Sequence, residues 1–453
     1  MKARQLNLFP TIEREQLEEK YSPLLKERLD FRDFLGFRLN KVEPIFRWFR
    51  FKEAFSRRLV EEILTKEWKL PPGSLIFDPF AGCGTTLLTC WQLGYPAIGV
   101  DILPVAVFAS KVKLHTGYDP DKVRKTIGEI LSKPFSPTDK TFPDVRIIDL
   151  ALPKEAQEKL LFYREQILKI QDPIIRDFLM LGLLASMEEA SYTSKDGQFL
   201  RLVKRPPKPV EVVFENKLRE MLADLERFNG VKSEARAEIF LGDARRLPIQ
   251  VLRYKGKVSG IITSPPYLNR YDYSRTYALE LCLLYNEQGE PWIKNAEGLK
   301  KIRHSLLRSH IESRPAPTHS VKIPALEEVL NCLELKQLNN PRIPIMIEGY
   351  FEDMNLAIRE MAKMLKPGGL VALVVDNVRF EGELIPVDLI LSEIAAKHKL
   401  KTLKVRVTRY KGNSSQQMGR YGKVPARESI VFWQKEIPRG DNEPIKRDRP
   451  NSV

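Results

Sequence analysis

Two short apolar runs, Ser74–Phe77 and Pro96–Val100, are each followed by a helical pattern, Thr85 to about Leu93 and then Pro104–Leu114. Gly94 stops the first of these helices. Strand, helix, strand, helix in this order predicts a parallel α/β sheet. The alternation returns at Glu238–Leu241 and Val258–Thr263. It returns again with a helix at 351–365, a Lys366-Pro367-Gly368-Gly369 break and a buried strand at Leu370–Val375. A helix at 386–398 and strands at about 401–408 and 428–434 close it. Two segments interrupt the pattern. Residues 119–235 carry helical patterns at 154–170, 174–190 and 211–229 around a Pro- and Lys/Arg-rich stretch, Arg201–Pro209. Residues 286–345 are polar, proline-dotted and basic. No internal repeat is visible, and 453 residues suffice for about three units and a large core.

Before the first strand, residues 1–40 read as a polar extension, helical over 11–29 with Leu17, Leu24 and Leu25 as weak anchors. Ser56 is placed to N-cap a helix whose Leu59, Val60, Ile63 and Leu64 share one face. Pro71-Pro72-Gly73 then breaks the chain. The charged tail, 437–453, is expected to be disordered. No apolar run reaches the length of a membrane span, and the first ten residues lack the apolar stretch of a secretory signal. Four cysteines without a C-x-x-C pair fit a reducing, cytoplasmic compartment better than a disulfide framework or structural zinc. Five histidines without H-E-x-x-H offer no visible metal site. The formal net charge of +15 suits a polyanionic partner, because Lys and Arg that neutralise phosphates drive sequence-independent nucleic-acid affinity.

The first strand runs into Phe77-Asp78-Pro79-Phe80-Ala81-Gly82-Cys83-Gly84-Thr85-Thr86. Glycines at a strand-to-helix turn let a ligand approach the backbone, and the following helix presents free N–H groups. The next strand ends in Asp101, suited to binding ribose hydroxyls. Together these point to an adenosine-containing ligand. The turn fits neither G-x-x-x-x-G-K-[ST] nor G-x-G-x-x-G, which argues against a P-loop and against a dinucleotide enzyme. Asp101, taken as a surface-facing strand end, is expected to matter to the ligand and not to the fold. A second motif, Ser264-Pro265-Pro266-Tyr267, ends the Val258–Thr263 strand. Two prolines stiffen the backbone and leave carbonyl acceptors without neighbouring donors, and an aromatic ring follows. That is equipment for holding a planar base with an –NH₂ group. A plain turn after a strand is the simpler alternative.

Asp78-Pro79-Phe80-Ala81-Gly82-Cys83-Gly84-Thr85-Thr86 together with Ser264-Pro265-Pro266-Tyr267 resembles the S-adenosylmethionine-dependent amino-methyltransferases that modify DNA bases. The first stretch matches that family's D-P-F-x-G-x-G-T-T motif, with Cys83 where Ser is usual. The second matches its [D/N/S]-P-P-[Y/F/W] tetrapeptide. The resemblance implies a Rossmann-like methyltransferase fold: a mixed, mostly parallel seven-stranded sheet with two largely helical or irregular insertions. It implies S-adenosyl-L-methionine as cofactor, held by Asp78, Pro79, Phe80, Ala81, Gly82, Gly84, Thr85, Thr86, Asp101 and Asp243. Arg47–Lys52 with Phe55 and Ser56 is similar to the family's N-terminal motif, which closes over the methionine part of the cofactor. Ser264, Pro265, Pro266 and Tyr267 would be catalytic. The Ser264 side chain and the Pro265 carbonyl would accept the amine's protons while Tyr267 stacks on the flipped base. No cysteine nucleophile is required, since Cys83 lies in the cofactor turn, so carbon-5 methylation is disfavoured.

The Ser form of the tetrapeptide is typical of enzymes that methylate the cytosine amino group (N4) in double-stranded DNA. Here the cofactor motif precedes the tetrapeptide, an order that differs from many cytosine-amino enzymes. Adenine-N6 methylation, an RNA base-amine methyltransferase and a non-catalytic nucleic-acid binder are the alternatives. The implied setting is restriction–modification, with a companion endonuclease as a functional partner. The likeness covers 41–118, 236–285 and 346–436 as three parts of one catalytic domain, and covers neither insertion well. Lys300, Lys301, Arg303, Arg308 and Arg314 form a basic run after the catalytic strand, expected to contact DNA phosphates, against the plainer reading of a solvated face. The insertion 119–235, with its basic stretch Lys195–Lys208, is the other candidate for target recognition. A polar loop, Gly412–Arg420, is either a hairpin connection or a contact to the target strand. Pro143-Asp144 with Glu215-x-Lys217 is too widely spaced for a nuclease motif.

Overall fold

The computed structural model describes residues 11–195, 200–228, 233–284, 293–314, 321–412 and 425–438. The tail expected to be disordered and the loop 412–420 lie, but for Gly412, Ile437 and Pro438, outside those residues.

One sheet organises the chain. Its strands are β1 (Leu25–Glu27), β2 (Ile76–Asp78), β3 (Ala97–Asp101), β4 (Ala237–Leu241), β5 (Val258–Thr263), β6 (Leu365–Asp376), β7 (Leu400–Lys411) and β8 (Ala426–Lys435), in the spatial order β1-β7-β8-β6-β5-β2-β3-β4. All neighbours are parallel except that β8 runs antiparallel to both β6 and β7. The order reverses between β2 and β5, at the head of which the two sequence motifs sit. In an open α/β sheet that is the crevice where ligands bind.

The sheet has eight strands, not the seven expected. The helix read over 11–29 ends at Tyr21, because Pro23 cannot continue it, and Leu25–Glu27 adds to the sheet edge opposite Val405–Val407. The central strands β2 and β5 are buried along their whole length, as near-continuous apolar strands of a parallel sheet should be. Helices cover both faces. The first helices are α1 (Ile12–Tyr21), α2 (Arg57–Glu62), α3 (Thr85–Gln92) and α4 (Pro104–Leu114). Ser56 caps α2 by accepting from the Arg58 N–H at 3.1 Å, and Leu59, Val60, Ile63 and Leu64 are fully buried.

The first insertion folds as α5 (Pro120–Leu131), α6 (Lys154–Leu168), α7 (Pro173–Ser186) and α8 (Val210–Phe228). It shares a core with Trp48 and Phe49, whose neighbourhood includes Phe178 edge-on to the Trp48 ring at 5.2 Å. The second insertion holds α9 (Ala296–Ser305) and α10 (Pro324–Glu334). Helix α11 (Ile343–Met364) begins well before the expected start at 351, because Pro344 in its first turn starts a helix instead of breaking one. Helix α12 is Val387–Lys397. No described helix is long and apolar enough to cross a membrane.

Candidate active site

At the head of β2 the chain turns through Gly82 (φ +51°) and Gly84 (φ +82°) into α3. A side chain at Gly82 would meet the Phe51 ring at 3.0 Å, and one at Gly84 would meet Ser110 Oγ at 2.9 Å. Only glycine fits either place, for both the positive φ and the space. The turn is braced from two sides. Asp101 Oδ2 accepts from the Gly82 N–H at 2.7 Å and Asp101 Oδ1 from the Leu103 N–H at 2.8 Å. Asp78 accepts from the Thr263 hydroxyl at 2.6 Å and from the Phe80 N–H at 3.1 Å. The Asp78 bond ties the cofactor turn to the last residue of β5, one position before Ser264. Burial pushes both carboxyls up to about 6, against the hydrogen bonds that favour their ionised forms. Asp101 is therefore part of the turn's framework, which corrects the expectation that the fold would not notice it.

Above the turn lies a cavity open to solvent on one side. Its floor is Asp78, Pro79, Phe80, Ala81, Gly82 and Thr85, and Asp101, Ile102 and Leu103 line one side. Gly242 to Arg245 from the loop after β4, and Ser264 and Pro266 after β5, line others. Phe51, Glu53, Ala54 and Phe55 close it together with Tyr273 and Ser305 to Leu307. Both sequence motifs thus open onto one space.

Five of the residues read from sequence do not line that space. Ser56 is fully buried as the α2 cap. Gly84 shapes the turn, and Thr86 is buried beside Asp78. Pro265 is buried. Tyr267 is outside the cavity lining, its hydroxyl donating to Glu428 Oε1 at 3.0 Å and also hydrogen-bonded with the Ser264 side chain. Asp243 lines the cavity but is paired with Arg245, which also reaches Asp353 at 2.9 Å.

Phe51, from the stretch read as the N-terminal motif, completes the wall together with Glu53 and Tyr273, which sequence reasoning missed. Phe51 lies against Gly82 and stacks on Tyr277, with centroids 4.9 Å apart and planes 8° from parallel. Tyr273 stacks on Phe51 more loosely, at 6.2 Å. Tyr277 donates to Glu53 Oε2 at 2.8 Å, while Glu53 Oε1 is buried without a hydrogen-bond partner. A carboxylate oxygen left without a hydrogen-bond partner in an aromatic surround, on a residue that lines the cavity, is a place for a cation. The segment carrying Phe51 is itself anchored by the first insertion. Asp224 of α8 accepts from the Ile45 N–H, Arg47 Nε and Trp48 Nε1, each at 3.0 Å. Lys195, buried and paired with Glu280, sits 4.6 Å from the Tyr277 ring centre.

The basic run divides. Arg308 is buried and committed to Glu352 at 2.9 Å and Asp353 at 2.8 Å, so the expectation that it faces DNA is corrected. Arg303 is engaged by Asp272 at 2.7 Å and Glu312 at 2.9 Å. Lys300 is exposed beside Glu297 at 3.6 Å. Lys301 and Arg314 are exposed with no ion pair among the described residues.

The sheet order and a cavity shared by the glycine turn, the strand-end acid and the Ser-Pro-Pro-Tyr segment define an S-adenosyl-L-methionine-dependent methyltransferase. Residues 14–111 match the DNA methylase family model of the N6/N4 type. The chain is 34% identical to type II methyltransferase M.BsoBI of Geobacillus stearothermophilus, over 94% of this chain and 92% of that protein. It is also 34% identical to type II methyltransferase M.AvaI of Nostoc sp., over 89% of each. Type II methyltransferase M.MvaI of Kocuria varians is 23% identical over 83% of this chain and 87% of that one. The protein belongs to the type II DNA amino-methyltransferases.

Proposed function

We propose that the protein methylates the exocyclic amino group (N4) of cytosine in double-stranded DNA, with a companion endonuclease cutting the unmethylated site. The observation that carries the reading is that Ser264 and Pro266 line the same cavity as Gly82 and Asp101. The base-holding segment and the cofactor-holding turn therefore face one another across a single space. Ser264 in the first place of the tetrapeptide, where the adenine enzymes typically carry Asp or Asn, favours cytosine.

The residues fit the cofactor. Asp101 takes the ribose hydroxyls, the Gly242–Arg245 loop flanks the adenine, and the unpartnered Glu53 Oε1 takes the α-ammonium of the methionine end. When bound, S-adenosyl-L-methionine supplies an electrophilic methyl group on a sulfonium. The protein's part is positioning. The Ser264 hydroxyl and the Pro265 carbonyl accept from the amine's N–H groups, which draws its lone pair out of conjugation with the ring. Tyr267 holds the plane of the flipped base. Lys301, exposed on α9, and Arg314, exposed beyond it, meet phosphates.

Mass spectrometry of nucleosides from DNA treated with the protein and S-adenosyl-L-methionine tests this. N4-methylcytosine is expected. N6-methyladenine would overturn the choice of base, and 5-methylcytosine as the only product would overturn the amine mechanism.

A further inference from the structure

Beside the catalytic tetrapeptide lies a cluster of charges with no part in the cofactor cavity. Glu428 of β8 is almost fully buried, yet it takes Arg409 and, at 3.0 Å, Lys411, both from β7. Lys411 also reaches Asp376, the last residue of β6, at 2.8 Å. Ion pairs in such surroundings contribute little net stability, since desolvation offsets their attraction. The cluster has one neutral guest. The Tyr267 hydroxyl donates to Glu428 Oε1 at 3.0 Å, and the Lys411 ammonium lies 5.5 Å from the Tyr267 ring centre.

We propose that Glu428 is a positioning residue for Tyr267, and that Lys411 sets which face of the Tyr267 ring receives the target base. The inference rests on the reading of Tyr267 as the stacking residue. A ring attached only through its Cβ turns about two side-chain torsions. A ring also tied at its hydroxyl has its direction fixed, and the preference of the phenolic O–H for the ring plane turns that plane toward the acceptor. Arg409 and Lys411 hold the Glu428 carboxylate from two sides, so the tie is made to an immobile acceptor. With the ammonium over one face, the base stacks on the other. Pre-set geometry of this kind lowers the cost of ordering the site when the base arrives, and small misplacements of a reacting group are costly. Gathering four charges beside one phenol then has a reason that stability alone does not give.

The test uses the full-length protein, duplex DNA carrying the mapped methylation site, and the variants Tyr267→Phe, Glu428→Gln, both together, and Tyr267→Ala. Tyr267→Phe keeps the ring and the charge cluster and removes the hydroxyl with its bonds to Glu428 and to the Ser264 side chain, Glu428→Gln removes only the tie, and the double variant separates the two. The expected result is a kcat lowered by about 10- to 100-fold in each single variant, with KM for S-adenosyl-L-methionine unchanged. The double variant should be no slower than the slower single one, because both remove the same bond. A fluorescent cytosine analogue, pyrrolocytosine, at the target position should be quenched by the parent and less so by Tyr267→Phe. Parent-like kcat in Tyr267→Phe, or fully additive losses in the double variant, overturns the inference while Tyr267→Ala remains inactive. Parent-like kcat in Tyr267→Ala overturns the stacking reading itself.

Discussion

Replacing Asp101 by Asn separates what the carboxylate does for the turn from what it does for the cofactor. In the fold, Oδ1 accepts from Leu103 and Oδ2 from Gly82. Asn keeps one acceptor and turns an –NH₂ toward the other N–H, losing one charge-assisted hydrogen bond of about 1.5–3 kcal/mol. Against this stands the burial of the charge. A carboxyl held up from 3.8 to about 6 is costlier to ionise in the fold than outside it, by about 3 kcal/mol at neutral pH. The two effects oppose each other with similar size, so Asp101→Asn should unfold in urea within about 1–2 kcal/mol of the parent at pH 7. Asp101→Ala leaves both N–H groups without that acceptor and should be the less stable of the two.

Cofactor affinity has no such offset. Hydrogen bonds from ribose hydroxyls to a charged acceptor are worth about 1.5–3 kcal/mol, which is a Kd for S-adenosylhomocysteine raised about 10- to 150-fold in Asp101→Asn. The sign of the pH dependence comes from the raised pKa. The folded protein keeps Asp101 ionised only above about pH 6. Parent affinity should therefore fall as pH is lowered from about 7.5 to about 5.5, and the Asn variant should show less of this fall. Titration calorimetry at the two pH values measures both effects. If the Asn variant binds within about two-fold of the parent at the higher pH, the carboxylate does not hold the ribose.

Glu53→Gln should weaken S-adenosylhomocysteine by about 10-fold or more while leaving methylthioadenosine, which lacks the amino-acid end, unchanged; equal losses for both ligands would place Glu53 elsewhere. Replacing Lys301 and Arg314 by Ala should weaken DNA binding irrespective of sequence and lower the slope of log K against log salt by about one for each phosphate no longer neutralised. An unchanged slope would remove them from the interface. His310 is buried with no hydrogen bond to either ring nitrogen, and desolvation of the charged ring lowers its pKa. A depressed histidine pKa gives stability that is full above the unfolded value, near about 6.5, and is lost as pH falls. His310→Leu should therefore gain on the parent in urea midpoint as pH drops from about 7 to about 5.5, and a difference that stays constant over that range would exclude the effect.

The parts legible in the sequence are those fixed over a few residues. Gly82 and Gly84 stand where a turn needs positive φ, Asp101 ends the next strand, and Ser56 caps a helix with an apolar face, all within local reach. The parts that were not legible depend on partners far away in the chain. Nothing near Glu53 announces that Tyr277 will bind one of its oxygens and leave the other bare. Arg308 looks like one more charge in a basic run until α11 brings Glu352 and Asp353 against it. The edge strand Leu25–Glu27 has no sequence signal apart from Pro23, because its pairing is decided by the open side of β7. Charge runs and weak helical patterns describe a segment's composition, whereas burial decides which charges remain available.

The first insertion bears directly on the site. Read from sequence, 119–235 is a candidate for target recognition. In the fold, Asp224 fixes the backbone at Ile45 and the side chains of Arg47 and Trp48, while Lys195 sits over the ring of Tyr277. Tyr277 in turn stacks on Phe51, which presses on Gly82. The chain of contacts runs from the insertion to the cofactor turn without a gap. Three donors gathered around one carboxylate are left buried and unpaired when that carboxylate is removed, so loss of Asp224 would loosen the segment that carries Phe51 and Glu53. The insertion therefore cannot be exchanged as a detachable reader of DNA sequence. Any altered version must keep Asp224 and Lys195 where they are, or the wall of the cofactor cavity moves with it.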